Sequence, residues 1–123
     1  MYSNDPACLQ HIQFFIRNDK LHMKVLFRSN DACKALFMNS FALIMLQKKI
    51  ADILEIEVGT YTHRSNSMHC YFKDFELLQG YIRRIDSAED EDDLCFSYED
   101  DWKQLMDDAI SKINDKVRKL KEN

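Results

Sequence analysis

The sequence predicts a mixed α/β fold in which a buried helix lies against a mixed sheet. Two segments near the N-terminus alternate apolar and polar residues with period two, and later segments carry apolar residues at spacings of three and four. The 123 residues include two glycines and one proline, although average usage is about 7% and 5%. This shortage of turn formers argues against a loop-rich or disulfide-stapled protein. The length allows one domain at most, or part of something larger.

The first two predicted strands form a hairpin. Residues 9–17 and 21–28 both show period-two alternation with aromatic and β-branched residues, and the Asn-Asp-Lys sequence at 18–20 is a turn former. The apolar face of the first strand carries Ile12, Phe14 and Ile16. The apolar face of the second strand carries Leu21, Met23, Val25 and Phe27.

Two helices and one strand are predicted in the middle of the chain. A long apolar block after an Asn-Ser start predicts a largely buried helix over 39–54, with the preceding residues as a connection. Residues 58–65 are typical of a strand, in which Gly59 marks a bulge or a close approach. Apolar residues at spacings of three and four predict a helix over 74–85.

The C-terminal third begins with an acidic run and ends with a helix. Residues 86–93 contain six acids, and their spacing fits a solvated loop better than a calcium loop, which needs a central glycine. The last helix has acids at its start and bases at its end, which complement the helix dipole. One apolar stripe runs along it, and core packing is favoured over a partner-binding face. The stripe comprises Trp102, Leu105, Met106, Ala109, Ile110, Ile113, Val117 and Leu120.

Charge and cysteine content narrow the function classes. The net charge of −4 provides no basic surface for nucleic acid, and no apolar run reaches the length of about 18 residues that a membrane span needs. The first six residues do not have the pattern of a signal peptide. The four cysteines include no C-x-x-C pair, so we expect reduced cysteines, no metal and a cytoplasmic protein.

Four short motifs contain residue types that catalysis and ligand binding commonly use. Taken singly, each fits a structural role: a small buried thiol, a turn, a helix N-cap and a packing pair. The N-cap role is the better explanation for Asn39 on its own. In chain order the motifs are Pro6-Ala7-Cys8, Arg28-Ser29-Asn30-Asp31, Asn39 and His69-Cys70-Tyr71.

In this order the motifs resemble the thymidylate synthase family, which includes the pyrimidine nucleotide hydroxymethylases. The family places a Pro-x-Cys nucleophile before a hairpin, then Arg-Ser-x-Asp, an Asn that opens a buried helix, and a strand leading into His-x-Tyr. The spacing is most similar to that of the short archaeal-type members. The resemblance covers residues 5–76, whereas residues 86–123 do not resemble the family's usual C-terminal end.

The resemblance implies a catalytic nucleophile and a phosphate-binding site. By analogy the thiolate of Cys8 adds to C6 of a uracil ring and makes C5 nucleophilic. Arg28 is the candidate cation that stabilises this thiolate. Arg28 and Ser29 would also hold the nucleotide phosphate, since a guanidinium fork and a hydroxyl suit phosphate oxygens.

The resemblance also implies how the base and the sugar are held. Asp31 would orient its loop and hydrogen-bond around the ring. The amide of Asn39 offers a donor and an acceptor to the N3/O4 edge of uracil, which favours dUMP over a cytosine nucleotide. His69 and Tyr71 would hold the 3′-hydroxyl of the sugar.

The chain also departs from the family, whose domain is about twice as long. The missing half carries the partner subunit's phosphate-binding arginines and folate contacts, and the folate-closing C-terminus has no counterpart here. We therefore expect the nucleotide half of a split enzyme that uses 5,10-methylene-tetrahydrofolate to form dTMP, as a homodimer or with an N-terminal-half subunit. Residues 1–85 would form the nucleotide-binding domain, and 86–123 the acidic loop and last helix of the same domain. A pyrimidine nucleotide-binding protein without transfer activity, a nucleotide hydroxymethylase and a structural domain with relic motifs remain alternatives.

Overall fold

A computed structural model describes residues 6–90, 92–95, 97–98 and 102–121. In chain order its elements are β1 (Leu9–Arg17), β2 (Lys20–Phe27), β3 (Asn30–Asp31), α1 (Ala35–Ile53), β4 (Glu57–Ser65), β5 (Met68–His69), α2 (Phe75–Asp86) and α3 (Lys103–Lys121), with 3₁₀ turns at Phe72–Asp74 and Asp92–Leu94. The chain divides into two compact units, and the boundary in sequence falls between Gly80 and Tyr81, within α2. No helix in these ranges is both long and apolar enough to cross a membrane.

The predicted hairpin is confirmed, with β1 and β2 paired antiparallel. Asn18 and Asp19 both have left-handed φ values, 52° and 56°, as in the two-residue turns that match hairpin twist. Asn and Asp tolerate this conformation better than most residues. The predicted inner face of β2 is also confirmed. Its buried residues are Leu21, Met23, Val25 and Phe27.

β4 lies parallel to β2, so the sheet has the order β1-β2-β4 and is mixed, as predicted. The pairing of β2 with β4 shifts by one residue, because Leu21 lies opposite Val58 whereas Met23 lies opposite Tyr61. The extra residue in β4 is a bulge at the predicted glycine. α1 joins the two parallel strands and packs its Leu43 against their core.

Gly59 lies where a side chain would collide with His22. A Cβ at Gly59 would lie 2.8 Å from the His22 ring, which accepts a hydrogen bond from Thr60 N and stacks on Phe15. We expect Gly59→Ala to lower the free energy of unfolding by about 1–3 kcal/mol in urea melts, because the held ring must move. Gly80→Ala is the control, since nothing lies within 4 Å of its Cβ. That variant should gain up to about 1 kcal/mol. A Gly59→Ala variant as stable as Gly80→Ala would show that the His22 ring moves aside at no cost in stability.

α1 begins at Ala35, so the prediction that Asn39 opens the helix is wrong. The N-cap residue is Lys34, which makes no side-chain capping hydrogen bond, and Asn39 lies in the second helical turn. The sequence misled because Asn-Ser resembles an N-cap, whereas the good helix formers before it already continue the helix. The connection predicted before residue 39 therefore contains β3 and the first turn of α1.

The prediction of a largely buried α1 is also wrong. Its buried residues are Gln47 and Ala51, whereas the apolar Met38 and Ile53 are 68% and 72% exposed. A helix that packs on one side of a sheet covers only the face that it turns toward the strands.

The two later helices are confirmed as helices, and α2 has nearly the predicted bounds. The expectation that the stripe of α3 packs in the core is wrong, because α3 has no buried residue and Leu120 is 77% exposed. The prediction at Trp102 falls just before the first residue of α3. The predicted acidic loop lies partly outside the described residues, at Glu91 and the side chain of Asp93. Asp90 and Asp92 are exposed.

Candidate functional site

The hairpin register brings Cys8 and Arg28 side by side. Leu9 pairs with Phe27, so the residues just beyond them face each other, and Arg28 N donates to Cys8 O at 2.7 Å. The Arg28 guanidinium reaches back across the hairpin, with Nη2 3.0 Å from Pro6 O and 3.8 Å from Cys8 Sγ. The thiol is exposed, and the positively charged Arg28 guanidinium lies against it.

A second, two-stranded sheet brings the Arg-Ser-x-Asp segment to the His-x-Tyr segment. β3 pairs parallel with β5, so Asp31 lies opposite His69. Ser29 Oγ lies 3.1 Å from His69 Nδ1, and the His69 ring meets the Tyr71 ring edge-on at 5.2 Å between centroids. Tyr71 is 55% exposed. The predicted phosphate-binding and sugar-binding side chains therefore share one edge of the fold.

Asp31 organises the turn that leads into α1. Its Oδ1 accepts a hydrogen bond from Cys33 N at 2.9 Å, a local side-chain bond that holds the backbone in a turn. The role of Asp31 toward a nucleotide stays a prediction.

Asn39 lies at one end of a chain of polar side chains. Its Nδ2 donates to Asn30 Oδ1 at 3.3 Å, and Asn30 Nδ2 donates to His63 Nε2 at 2.9 Å. Asn30 is only 2% exposed, so its amide is held by these contacts rather than by bulk water. The Asn39 amide is thereby oriented by β3 and β4 although it lies on α1.

His63 lies at the other end of this hydrogen-bonded series of side chains. Its ring stacks on Phe27 at 4.6 Å between centroids, and its Nδ1 lies 2.8 Å from the Tyr61 hydroxyl and 3.3 Å from Ser40 Oγ. With Asn30 donating to Nε2, the proton of the neutral ring is assigned to Nδ1, which donates to the Tyr61 hydroxyl. Burial lowers the pKa of His63 below its ordinary value of 6.5.

This lowered pKa predicts an acid-sensitive fold. Below pH 6.5 the unfolded chain takes up a proton at His63 that the folded chain resists, so stability is complete above pH 6.5 and falls as the pH decreases through the folded pKa. We expect His63→Gln to show a smaller loss of urea stability between pH 7 and pH 5 than the unsubstituted chain. His11→Gln, at an exposed position of β1, is the control and should keep the full loss. An unchanged pH profile in His63→Gln would assign the loss to other groups.

The model of the family described as thymidylate synthase matches residues 3–114. The chain belongs to the thymidylate synthase family. A protein of Methanocaldococcus jannaschii described as "Putative thymidylate synthase" is 48% identical over 76 residues, which are 61% of this chain and 34% of that protein. Thymidylate synthase 1 of Bacillus subtilis is 30% identical over 77 residues, 63% of this chain and 28% of its own.

The fold agrees with this assignment. Thermostable thymidylate synthase A from Bacillus subtilis superposes with a TM-score of 0.60 at 29% identity, over 63% of this chain and 28% of that one. The chain spans about a third of the length of the curated relatives it matches. The family match reaches residue 114, within α3, and so extends beyond residues 5–76, which were the residues expected to carry the resemblance.

Sequence reasoning missed Asn30 and His63, although thymidylate synthase-type motifs surround both. Asn30 occupies the variable position of Arg-Ser-x-Asp, which the motif does not specify. His63 and Tyr61, two residues apart on one face of β4, were the available signal, because alternate residues of a strand share a face. Their link to Asn39 depends on the parallel pairing of β2 and β4.

Proposed function

We propose that this chain is the C-terminal, nucleophile-carrying and nucleotide-binding part of a thymidylate synthase, and that it acts with a second chain. The observation that supports this most is the 3.8 Å approach of Arg28 Nη2 to Cys8 Sγ at the end of the hairpin. The pair lies beside the Ser29 and His69 contact, so a nucleophile and polar anchors occupy neighbouring segments.

The phosphate of dUMP would be held by Arg28 and Ser29. A guanidinium presents five N–H donors in a planar fork whose geometry matches that of phosphate oxygens. The Ser29 hydroxyl is positioned by His69 Nδ1. His69 and Tyr71 would then face the deoxyribose and its 3′-hydroxyl.

The base would be recognised by Asn39. One amide N–H of Asn39 is directed to Asn30 Oδ1, while the amide oxygen and the second N–H suit the N3–H and O4 groups of uracil. Because Asn30 itself is fixed by His63, the amide cannot rotate freely to offer the reverse pattern that cytosine needs. This supports dUMP as the nucleotide.

Cys8 would supply the covalent step. The thiolate adds to C6 of the uracil ring, the C5–C6 double bond gives its electron pair to C5 and O4, and the resulting enolate is nucleophilic at C5. With no one-carbon donor present, C5 takes a proton from water, and loss of a C5 proton followed by expulsion of Cys8 restores dUMP. Exchange of the C5 hydrogen with water is therefore expected of this chain alone.

The one-carbon donor of the family, 5,10-methylene-tetrahydrofolate, does not fit the described residues on their own. A pteridine ring needs flat apolar walls beside the reacting atom, but the neighbour that the exposed Cys8 thiol contacts is the charged Arg28 guanidinium. The folate is therefore assigned to a second chain.

Exposed apolar surface supports a second chain. Ile12 and Phe14 are each 37% exposed and Ile16 is 49% exposed, all on one face of β1. A contiguous apolar strip of this kind indicates an interaction surface. The partner would be a second copy of this chain or an N-terminal-half subunit.

The test is the release of tritium from dUMP labelled at C5, first with the chain alone and then with the N-terminal half of a family member. Covalent capture of a fluorinated dUMP analogue with methylene-tetrahydrofolate, in the mixture, tests full transfer. Release without capture would support the second candidate, a nucleotide-binding protein without transfer activity. Exchange with dCMP instead of dUMP would support a hydroxymethylase. Absence of both signals with both nucleotides would refute the enzyme proposal.

Arg28→Ala is expected to weaken dUMP binding tenfold or more, about 1.5–3 kcal/mol, since the charged hydrogen bonds to phosphate are lost. The affinity for deoxyuridine, which has no phosphate, should change by less than about threefold. Titration calorimetry with both ligands measures the difference. Arg64→Ala, at an exposed position of β4, is the control and should leave both affinities unchanged. Equal losses for the nucleotide and the nucleoside would contradict the phosphate role.

A further inference from the structure

Two cysteines that the proposed reaction does not use lie against each other. Cys33 Sγ is 2.7 Å from Cys70 Sγ, about 0.7 Å longer than a disulfide bond, and the two thiols are not bonded to each other. Cys33 lies in the turn before α1 and is 2% exposed, whereas Cys70 follows β5 and is half-buried.

Several contacts hold the two sulfurs together. The β3–β5 pairing continues as Ala32 N donates to His69 O at 2.8 Å, and the next residue on each segment is a cysteine. Cys33 N is held by Asp31 Oδ1 at 2.9 Å. On the far side, Lys34 Nζ forms an ion pair with the buried Asp74, which ties the 3₁₀ turn to the start of α1.

We propose that Cys33 and Cys70 form a reversible intramolecular disulfide, and that this bond locks together the two segments that carry the nucleotide-binding side chains. Asp31 lies two residues before Cys33, and His69 and Tyr71 flank Cys70 directly. The approach of the sulfurs needs almost no backbone movement, so the bond would preserve the arrangement of these side chains while restricting its fluctuation.

The chemistry requires a two-electron oxidant, for which hydrogen peroxide suffices. The more accessible Cys70 thiolate attacks a peroxide oxygen, the O–O bond breaks, and a sulfenic acid forms as hydroxide leaves. Cys33 sulfur then attacks the Cys70 sulfur, the S–S bond forms, and hydroxide leaves. Together with the protons lost by the two thiols, the two hydroxides become two waters. Two thiols and one peroxide thus give one disulfide and two waters.

The environments of the two sulfurs support this order. The hydrogen bond with Cys70 and burial raise the pKa of the Cys33 thiol to about 11, so Cys33 is a poor first nucleophile for peroxide. Once Cys70 carries a sulfenic acid, the short distance gives Cys33 a high effective concentration against it.

The test uses the full chain with Cys8→Ser and Cys95→Ser, so that Cys33 and Cys70 are its remaining thiols. Equimolar peroxide should remove both titratable thiols and lower the mass by about 2 Da, and dithiothreitol should restore both. A peptide that joins Cys33 to Cys70 should appear in a non-reducing digest. The melting temperature should rise by about 10 °C, because the closed loop constrains the unfolded chain.

Two further variants keep the result unambiguous. In the same background Cys70→Ser, at the less buried position, and Cys33→Ser should each keep one thiol and show no mass loss of this kind. An intermolecular dimer, a sulfinic acid at Cys70 without cross-linking, or no oxidation at all would overturn the proposal. Because no nucleotide is used, failure of dUMP exchange and failure of disulfide formation are separate results.

Discussion

Cys8→Ser is expected to reduce tritium release from C5-labelled dUMP by at least a thousandfold, roughly the loss seen when a covalent nucleophile is removed. A serine hydroxyl is not ionised near neutral pH, and one neighbouring guanidinium at 3.8 Å does not replace a general base. Affinity for dUMP, measured by calorimetry, should change by less than about threefold, because the proposed binding contacts come from other residues.

The comparison with Cys95→Ser makes the Cys8 result specific. Cys95 is also exposed, but it lies in the second compact unit, and its replacement should leave exchange unchanged. Tritium release that survives in Cys8→Ser would remove Cys8 from the covalent step. A loss of dUMP binding equal to the loss of exchange would instead show that Cys8 holds the hairpin end in place.

The parts of the fold that could be predicted are those encoded locally. Four alternating apolar residues predicted the inner face of β2, and Gly59 predicted the bulge in β4. β3 and β5 have two residues each, too few to produce a period, so their pairing was not predictable. The start of α1 was misplaced because propensity before residue 39 outweighed a polar pair that resembles an N-cap.

The candidate site also has a part that could be predicted from the sequence and a part that could not. Motif order named Cys8 and Arg28, and the hairpin register places them together because both flank predicted strands. The contact between Asn39 and Asn30, and through it to His63, joins residues from three elements. Such contacts depend on the register in which strands distant in the sequence pair, which no local pattern encodes. The roles inferred for the individual side chains remain predictions until the variants are measured.

Gln47→Leu is expected to lower the free energy of unfolding by about 2–3 kcal/mol, since buried carbonyl groups lose their donor. Gln47 is fully buried on α1, and its Nε2 donates to Leu21 O at 2.7 Å. Nε2 also lies 3.4 Å from Gly59 O and 3.3 Å from Thr60 O, at the β4 bulge where the pairing with β2 shifts register. Leucine fills the same space but donates nothing to these oxygens.

A gain in stability offsets part of the loss expected for Gln47→Leu. Gln47 Oε1 is itself buried without a hydrogen-bond partner in the described part of the chain, so leucine also removes one unsatisfied acceptor. Urea melts with an unchanged m-value measure the net result. Gln79→Leu, on the exposed surface of α2, should stay within about 0.5 kcal/mol of the unsubstituted chain. A Gln47→Leu variant as stable as that control would mean that the bulge carbonyls gain nothing from the amide, and that shape alone positions α1 on the sheet.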